Sequence, residues 1–519
     1  MKPYAVLAIT ALGGSVLAQE PKLPLPSPTR PLLESPNADE LAKILGGRDM
    51  TIEDAVGIAL ATSRGYATSI ANLERAKGRT GEARAALQPQ AGVGGSLTIY
   101  DKPNVANFGP TSVTLQNQFN SIYTASISLP IDLSGAIHAA ASQAQFSEVA
   151  ARIDVNRVRN QLVSDVKAAF YQALRAQGQF VVSQDTLTNA QTRLEDAQAT
   201  LRAGTGTQFD VLTAQRDVAD AQQAVVNARG AVTLALARLK NVMGVDVSAP
   251  IRITDTGAVQ EPEGVAPVVP PVSTPPLSEL KIPPPADNSS RLHTAQNEVE
   301  LGPDYQAAVR EALATRPEVL ESEAALTAAQ RGVMYERRRA LPTFSLSAQY
   351  VVQPTAAGFT PEQQGSIGLN FNIPIFRGGL DRARVREAEA TVAGAKTDRR
   401  SAIDQVTFEV QQAYVNLAQA RERVQVANVG LAQAREAFRL ARLRARVGVS
   451  AGPLTSPQLE LSNAQASLTQ AETNRVNALY DYNQARSDLD RAVGRYSYGP
   501  GSGYAQPPTS KDTGQTGKQ

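Results

Sequence analysis

A short alternating segment that runs into a very long proline-free stretch constrains this chain more than any other feature. From residue 366 onward, apolar residues occupy every second position, namely Ile367, Leu369, Phe371, Ile373 and Ile375. This period predicts a strand with one apolar and one polar face. The stretch that follows is rich in good helix formers and contains no proline until Pro453. A helix from there to Gly448 would be roughly 100 Å long, far more than a globular domain requires.

The same unit occurs earlier in the chain. Residues 123–133 alternate in the same way, and Ser134-Gly135 then leads into a proline-free run that reaches Gly204. The two copies align with shifts of 253 positions before the strands, 244 from the second strand to Gly204 and 250 in the last helix. Because the shift changes only in predicted loops, the alignment is consistent with a duplication. The chain therefore reads as two copies of one large unit.

Each copy is predicted to contain five elements: a helix, two strands, a long helix and a return helix. In the first copy a helix runs from Thr51, its N-cap, to about Leu87, and a strand covers 91–100. A loop with Pro103 and Pro110 leads to a second strand that ends near Leu133. A long helix covers 136–203, and a glycine-rich turn leads into a return helix that ends at Gly244. The return helix carries a valine and alanine heptad, which predicts a close helix–helix seam.

The remaining segments differ in composition from the two copies. Residues 1–18 have a lysine followed by a short apolar run and read as a cleaved signal sequence. The full division is 1–18 signal, 19–48 proline-rich arm, 49–247 first copy, 248–302 proline-rich linker, 303–495 second copy and 496–519 polar tail. The linker is predicted to form, in part, a belt around the helices.

Composition excludes several classes of function. The net charge is only +2, so no general basic field points to a nucleic-acid partner. The chain has no cysteine and only two histidines, His138 and His293, in unlike contexts. Thiolate chemistry is therefore excluded, and a histidine-based metal or catalytic site is not expected. Since no nucleophile–base pair or phosphate loop appears either, we expect no enzyme and no cofactor.

The strands indicate where the chain resides. Strands of about ten residues, apolar on one face, polar on the other and enriched in aromatic residues, suit an outer-membrane barrel. Four strands cannot close a barrel, and open edges are not tolerated in lipid, so at least two protomers would have to combine. A soluble sheet packed on the helices is the alternative that the pattern leaves open.

Taken together, these features resemble the TolC-like outer membrane efflux protein family. The resemblance covers about 51–247 and 303–495 and rests on duplicated motifs: LPIDLSG and IPIFRGG at the strand ends, and GTGTQFDVLTAQ and QLELSNAQASLTQAE at the helix turns. It implies a homotrimer with a twelve-stranded barrel in the outer membrane and a twelve-helix periplasmic tunnel. It also implies that the chain passively conducts substrates delivered by a periplasmic adaptor (membrane fusion) protein and an inner-membrane transporter of RND, ABC or MFS type.

The resemblance implies that the helix turns form the periplasmic entrance of the channel. Family members place an acidic ring at the position of Glu460, and the duplication puts Asp210 at the equivalent place. A ring of like charges would favour polyvalent cations. Acids near a helix N-terminus that only complement the helix dipole are the alternative. Asn463 stands where some relatives have a second acid, and Ala445 stands where many have a gate tyrosine.

Three groups of residues are therefore candidates. A basic cluster could pair with Asp210 to hold the gate shut, or could simply complement a helix C-terminus; it comprises Arg442, Arg444 and Arg446. The helix tips that would dock on the adaptor comprise Gly204, Thr205, Gly206, Thr207, Gly448, Val449, Ser450 and Gly452. The joints between barrel and tunnel comprise Pro130, Gly135, Pro374, Gly378 and Gly379.

Another class of protein remains as an alternative. A non-channel coiled-coil or adaptor protein of the periplasmic envelope would also have long helices. An adaptor, however, would carry a lipoyl-like domain and a single hairpin, and a structural coiled coil would not need amphipathic strands between its helices. The duplicated strands favour the channel.

Overall fold

The computed structural model describes residues 49–255, 259–262, 303–358, 360–447 and 457–496. Within these ranges the first copy contains α1 (Ile52–Thr62), α2 (Arg64–Ala85), β1 (Gln90–Ile99), β2 (Asn104–Phe108), β3 (Thr111–Gln116), β4 (Phe119–Ile131), α3 (Ala136–Arg202) and α4 (Gln208–Met243). The second contains α5 (Pro303–Thr315), α6 (Pro317–Arg339), β5 (Thr343–Val352), β6 (Gln363–Asn372), α7 (Leu380–Val447) and α8 (Pro457–Val493). The predicted signal sequence and arm, and nearly all of the tail, lie outside the described residues.

The helices form a strip that is four rods wide. The first rod consists of α1 and α2 followed by α4, the second is α3, the third consists of α5 and α6 followed by α8, and the fourth is α7. The two unbroken rods, α3 and α7, hold 67 and 68 residues. The predicted fold class, a duplicated unit of long helices with strands between them, is confirmed.

The prediction of one continuous helix over 51–87 is wrong, because the chain breaks at Ser63. Thr51 caps α1 as predicted, and its side chain accepts a hydrogen bond from the amide of Asp54. Ser63 then adopts an extended backbone, and its hydroxyl accepts a hydrogen bond from the Tyr66 amide to start α2. A serine that bonds to the local backbone competes with helix continuation, which is the physical reason for the break.

The prediction of a plain loop around Pro103 and Pro110 is also wrong. β2 and β3 form an antiparallel hairpin there, and Gly109 supplies the left-handed backbone, at φ 65°, of its turn. Both prolines lie outside the paired segments, so neither removes a donor from the ladder. The prolines indicated the ends of this hairpin and not the absence of strands.

The other four strands form one antiparallel sheet in the order β1-β4-β5-β6. The register places apolar residues directly opposite one another, and the pairs include Ile131 with Phe344, Phe344 with Phe371, and Leu129 with Leu346. The opposite face carries polar pairs such as Ser128 with Ser347. The two faces predicted from the alternation therefore extend across the whole sheet.

Strand order and rod order agree. Along the chain β1 follows α2, β4 precedes α3, β5 follows α6 and β6 precedes α7. The strands therefore lie side by side in the same sequence as the rods to which they connect. As a consequence, the two free edges of the sheet, β1 and β6, belong to the two free edges of the helical strip.

Small apolar residues fill the space between the rods. One core cluster joins α5, α6, α7 and α8, and its buried members are Ala308, Ala312, Val319, Val406, Val410, Ala413, Ala492 and Val493. The predicted heptad of α4 faces α3, where Val211 and Ala214 pack against Ala197. Alanine at such positions lets helix axes approach closely. Among the described helices, none carries an apolar stretch of the length needed to cross a membrane.

The described part of the linker contacts both copies. Met50 pairs with Ile253 in a parallel bridge. Further along, the backbone of Gln260 exchanges two hydrogen bonds with the side chain of Asn483 on α8. Arg475, which interrupts the heptad of α8, donates to Glu261 and to Asn428 on α7. The linker therefore runs along α8 in this part, and Arg475 departs from the heptad because it binds the linker.

Candidate functional site

The turn between α3 and α4 is the first candidate tip. Gly204 adopts a left-handed backbone at φ 76°, and the amides of Thr205 and Gly206 both donate to the carbonyl of Thr200. A side chain at Gly206 would place its Cβ only 2.6 Å from the Thr200 hydroxyl. The turn is thus a tight C-cap whose carbonyls are satisfied by its own backbone.

Asp210 lies one turn beyond this tip and forms part of a capping box. Its carboxylate accepts hydrogen bonds from the amide of Thr207, at 3.1 Å, and from the Thr207 hydroxyl, at 2.6 Å. The Thr207 hydroxyl in turn accepts from the Asp210 amide at 3.2 Å. An acid in this position stabilises the helix N-terminus whether or not it also lines an opening.

The tip between α7 and α8 is described only on its two flanks. Four predicted docking residues, Gly448, Val449, Ser450 and Gly452, lie outside the described residues. On the flanks, the guanidinium of Arg444 binds the Glu460 carboxylate, with 2.6 Å between Nη1 and Oε1. The structure thus places Glu460 next to a cation of its own chain, and Arg444 connects the end of α7 to the start of α8.

The other candidates at this tip are less constrained. Arg446 and Asn463 are exposed, and Arg442 is half-buried. Oε2 of Glu460 is buried without a hydrogen-bond partner among the described residues. Because a surface ion pair typically contributes about 0.2–1 kcal/mol, the Arg444–Glu460 contact can hold the tip while remaining easy to break.

A buried polar cluster above the tips was missed by the sequence analysis. Arg193 of α3 is 7% exposed and forms an ion pair with Asp217 of α4, which also accepts a hydrogen bond from the Ser462 hydroxyl of α8 at 2.9 Å. The cluster lies about 14 Å along α3 from its end at Arg202. It joins three rods at one level, so it ties α3, α4 and α8 together near their ends.

The electrostatics of this cluster favour the charged state of Asp217. Burial raises the pKa of its carboxyl, but hydrogen bonds from Arg216 and Ser462 and the charges of Arg193 and Arg216 outweigh burial, so the pKa lies below its usual value. One feature of the sequence could have indicated this cluster: Asp217 directly precedes the heptad residue Val218. Charged residues beside a seam commonly pair with a neighbouring helix.

The first joint between sheet and helix is built around Gly135. This glycine adopts φ 68° as the N-cap of α3, and its carbonyl accepts a hydrogen bond from Arg338 of α6 at 3.2 Å. A Cβ at Gly135 would lie 2.9 Å from that guanidinium. Asp132 accepts from the amide of His138 and contacts its ring nitrogen. The predicted Pro130 lies within β4, opposite Ser345.

The second joint is more open. Gly378 and Gly379 both adopt left-handed backbones, at φ 61° and 87°, and no atom lies near the position of a Cβ on either. Pro374 lies between the end of β6 and these glycines. Arg377 and Asp381 form an ion pair at this joint, with 3.2 Å between Nη1 and Oδ1. Glycine is therefore required here by backbone conformation and not by crowding.

Solved structures show the same fold. A membrane protein from Pseudomonas aeruginosa aligns with a TM-score of 0.65 and 20% identity, covering 85% of this chain and 93% of its own. VceC, an outer membrane protein of Vibrio cholerae, aligns with a TM-score of 0.66 and 16% identity, covering 88% and 99%. At this level of identity the similarity establishes the fold alone.

Sequence comparison establishes the family. The outer membrane efflux protein BepC of Brucella suis biovar 1 (strain 1330) is 27% identical over 186 residues, which span 36% of this chain and 40% of BepC. A family model described as outer membrane efflux protein matches residues 55–245 and 308–495, well over half of the chain. The chain therefore belongs to the family of outer membrane efflux proteins.

Proposed function

We propose that this chain is one protomer of a homotrimeric exit duct in the outer membrane, whose helical part extends into the periplasm. The duct passively conducts substrates that an inner-membrane transporter and a periplasmic adaptor deliver. The observation that carries this proposal is the four-stranded sheet, which has an apolar face, a polar face and two open edges. A sheet of this kind is stable in lipid only if its edges are closed by further strands.

The placement of the free edges supports closure by copies of the same chain. β1 and the rod of α2 and α4 form one side of the protomer, while β6 and α7 form the other. If β6 of one copy pairs with β1 of the next, the matching rods come together at the same time. Single-chain barrels need about eight strands or more, and three copies supply twelve strands and twelve rods.

Exposed apolar residues on both outer rods support the same arrangement. Leu234 on α4 lies on the side of the helix opposite its buried seam and is 72% exposed. Phe408 on α7 likewise lies opposite the buried Val406 and Val410 and is 58% exposed. Large apolar side chains on the outward side of a packed helix indicate a further partner. A neighbouring protomer would cover both.

The residues at the tips take proposed roles within this duct. Three copies of Asp210 and Glu460 would surround the periplasmic opening, with Asn463 beside them, and the basic residues of α7 would moderate their charge, namely Arg442, Arg444 and Arg446. The turns at both tips would dock on the adaptor, and the joints at Gly135 and at Gly378-Gly379 would turn the barrel strands into the tunnel helices. The Arg444–Glu460 ion pair supports a tip that is held by breakable contacts.

Native mass spectrometry of the detergent-extracted protein tests the assembly. We expect a trimer, with a β-rich form that changes mobility on heating. Leu234→Glu should shift the population toward monomer, because it places a charge in the covered seam. Val181→Glu is the matched control, since Val181 is exposed on α3, a rod inside the strip. Monomer alone in the unmodified protein, with no heat-modifiable species, would contradict the proposal.

Single-channel recording tests the acidic ring separately. In a planar bilayer, Glu460→Gln should weaken the block of current by polyvalent cations, because three carboxylates at the opening are replaced by neutral amides. Arg444→Gln should strengthen the block by polyvalent cations, since it frees the carboxylate that Arg444 now contacts. Unchanged block in both variants would reject the ring while leaving the trimeric duct in place.

A further inference from the structure

The end of α6 that adjoins the sheet carries arginines and exposed apolar side chains on the same side. Met334, Arg337, Arg338 and Leu341 follow the spacing i, i+3, i+4 and i+7, which places them along one side of a helix. Met334 and Leu341 are 40% and 47% exposed, and Arg337 is exposed as well. The stem of an arginine can lie along such an apolar surface while its guanidinium reaches a polar layer. This combination is typical of a surface at the boundary between lipid and water.

Two arginines at the start of α7 lie on the same side of the helical strip. Glu389 of α7 accepts a hydrogen bond from Arg337 of α6, with 2.6 Å between Nη2 and Oε1. Arg382 and Arg386 precede Glu389 by seven and three residues, so they lie on the side of α7 that meets Arg337. Both are exposed, and neither forms an ion pair or a hydrogen bond with another residue that the structure describes. Their positive charges are therefore not compensated.

The opposite side of these helices has no such excess of positive charge. There, a groove between α6 and α7 is lined by Glu336, Arg384 and Glu387 and is bordered by Gln143 of α3. A second groove, between α2 and α3, is lined by Arg79 and again by Gln143, so both grooves open on one side of the strip. At this level, α6 and α7 therefore carry their unbalanced arginines only on the side that also exposes apolar residues.

The arginines lie at the level at which the apolar face of the sheet ends. Ile373 and Ile375 continue that face beyond β6 and are 53% and 95% exposed. The two arginines of α7 lie within about 10 Å of its start along the helix axis. Those of α6 lie six and five residues before β5. The headgroup layer of a bilayer is about 5–8 Å thick on each side of the hydrocarbon core, so arginines at this level can reach it from the end of the sheet.

We propose that a basic collar, defined as Arg337, Arg338, Arg382 and Arg386, binds the phosphate groups of anionic phospholipids at the periplasmic surface of the outer membrane. This inference rests on the proposed function, because it places the apolar face of the sheet in the hydrocarbon core and repeats the collar three times around the duct. Guanidinium groups suit this ligand, since they bind phosphate oxygens in a bidentate manner. The collar directly continues the lipid-facing surface, which favours a headgroup over a different anionic partner such as peptidoglycan.

Native mass spectrometry of the full-length trimer, released from lipid nanodiscs, tests the collar. The nanodiscs contain equal amounts of phosphatidylglycerol, which is anionic, and phosphatidylethanolamine, which carries no net charge. The phospholipids that remain bound to the trimer are identified by mass and counted. We expect the unmodified trimer to retain phosphatidylglycerol in clear preference to phosphatidylethanolamine, because only the anionic headgroup leaves the charge of the collar balanced.

Removing charge from the collar should reduce this preference. In the double variant Arg382→Gln and Arg386→Gln, we expect the ratio of the two retained lipids to fall roughly fivefold or more, since each arginine near an anionic surface adds to the attraction. Arg79→Gln with Arg384→Gln is the matched control, because it removes the same charge from the grooves on the opposite side of the strip. This control should leave the ratio unchanged. Replacing Arg382 and Arg386 by lysine keeps the charge and should retain most of the preference.

Three other results would overturn the inference in distinguishable ways. If the unmodified trimer retains both lipids equally, or if the control variant loses as much preference as the collar variant, the collar does not bind anionic headgroups although the duct itself stands. If the trimer shows no lipid preference but sediments with purified peptidoglycan in a manner that the collar variant abolishes, the partner is that polymer. If the protein neither enters nanodiscs nor retains phospholipid, the apolar face does not lie in lipid, and the proposed function fails together with the inference.

Discussion

The two copies have a helix break at equivalent positions, but the side chains that stabilise the break differ between them. In each copy a break between two helices lies against the end of the return helix: Thr62-Ser63 contacts the end of α4, and Thr315-Arg316 contacts the end of α8. Both threonine hydroxyls donate to the last helical carbonyl, that of Met243 in one case and that of Val493 in the other. The shared threonine contact shows what the duplicated fold requires.

The residue after the threonine is where the copies differ. Ser63 caps α2 through its hydroxyl, whereas Arg316 is 3% exposed and its side chain bonds to groups on α6, α7 and α8. Arg316 donates to Glu318 at 2.9 Å, to Glu409 of α7 at 2.8 Å and to the carbonyl of Ala492 at 3.1 Å. Pro317 disfavours helical backbone at the preceding residue, so the break in the second copy needs no serine cap. Because no cap is needed there, the position equivalent to Ser63 is occupied in the second copy by a buried cation, Arg316.

The largest expected effect is at this arginine. Arg316→Ala should destabilise the protein by about 3–5 kcal/mol, because it leaves Glu409 and the Ala492 carbonyl without their buried partner. Ser63→Ala, at the equivalent place, should cost only about 1 kcal/mol, the usual effect of losing an N-cap. Thermal unfolding followed by circular dichroism at fixed protein concentration measures both. Equal losses of stability in the two variants would show that the ion pairs of Arg316 contribute no more to the free energy of unfolding than the N-cap at Ser63.

The glycines that end the return helices should come next. Gly244 and Gly494 adopt φ 72° and 86°, and a Cβ on them would lie 3.0 Å from the Thr62 carbonyl and 2.7 Å from the Thr315 hydroxyl, respectively. Alanine at either position should cost about 1–2 kcal/mol from the left-handed backbone alone. Gly430→Ala on α7, where nothing lies near the Cβ position, is the control and should be neutral or stabilising. Unfolding midpoints in urea compare the three variants.

The shared threonines should show smaller and equal effects. Thr62→Val and Thr315→Val each remove one hydroxyl that bonds to the end of the neighbouring helix and keep the shape of the side chain. We expect a loss of about 1 kcal/mol for each, the net contribution of one hydrogen bond. Hydrogen exchange of the last turns of α4 and α8 locates the effect. A loss confined to one copy would show that the two midpoints do not share this contact.

The smallest effect is a pH dependence that only one copy should show. Burial raises the pKa of Glu409, but hydrogen bonds from Gln405 and Arg316 and the charges of Arg316 and Arg491 outweigh it, so the pKa lies below its ordinary value of 4.5. A lowered folded-state pKa stabilises the protein above the unfolded pKa, and that stability is lost as the pH falls through the folded value.

Glu409→Gln tests this pH dependence against a matched position in the first copy. The stability difference between the unmodified protein and Glu409→Gln should be constant near neutral pH and shrink below about pH 4.5. Asp165 occupies the equivalent place and accepts from Gln161 at 2.9 Å, as Glu409 accepts from Gln405 at 3.0 Å, but Asp165 is exposed. Asp165→Asn should therefore show no comparable trend over the same pH range. A trend of equal size in both variants would contradict the proposed role of Arg316.

The regular elements could be predicted because their signals are local. The alternation from Ile367 to Phe371 indicated a strand face, and the register of β5 and β6 places that face beside its neighbours. The proline-free runs predicted the two long helices to within a few residues of their ends at Arg202 and Val447. The capping box at Thr51 was likewise visible, since its partner lies three residues away.

The missed features have non-local causes. The sequence on both sides of Ser63 has a helical pattern, so the break between them has no clear local signal. Its position depends on where the end of α4 lies. The Arg193–Asp217–Ser462 cluster brings together residues from three helices and both copies. From the sequence, Asp210 was one possible partner for the basic residues of α7, and the ion pair of Arg444 with Glu460 was not predicted. In none of these cases are the partners separated by a short, regular number of residues, so the sequence pattern does not predict the contact.

By itself the sequence determined the duplication, the amphipathic strands, the long helices and the family resemblance, because each follows from periodicity or from local residue preference. The tertiary structure alone decided which rods are neighbours, that strand order follows rod order and where the buried charges find partners. The physical reason is that backbone conformation depends mainly on adjacent residues. A buried ion pair or a covered side chain depends on groups hundreds of positions apart, such as Asn120 and Gln353.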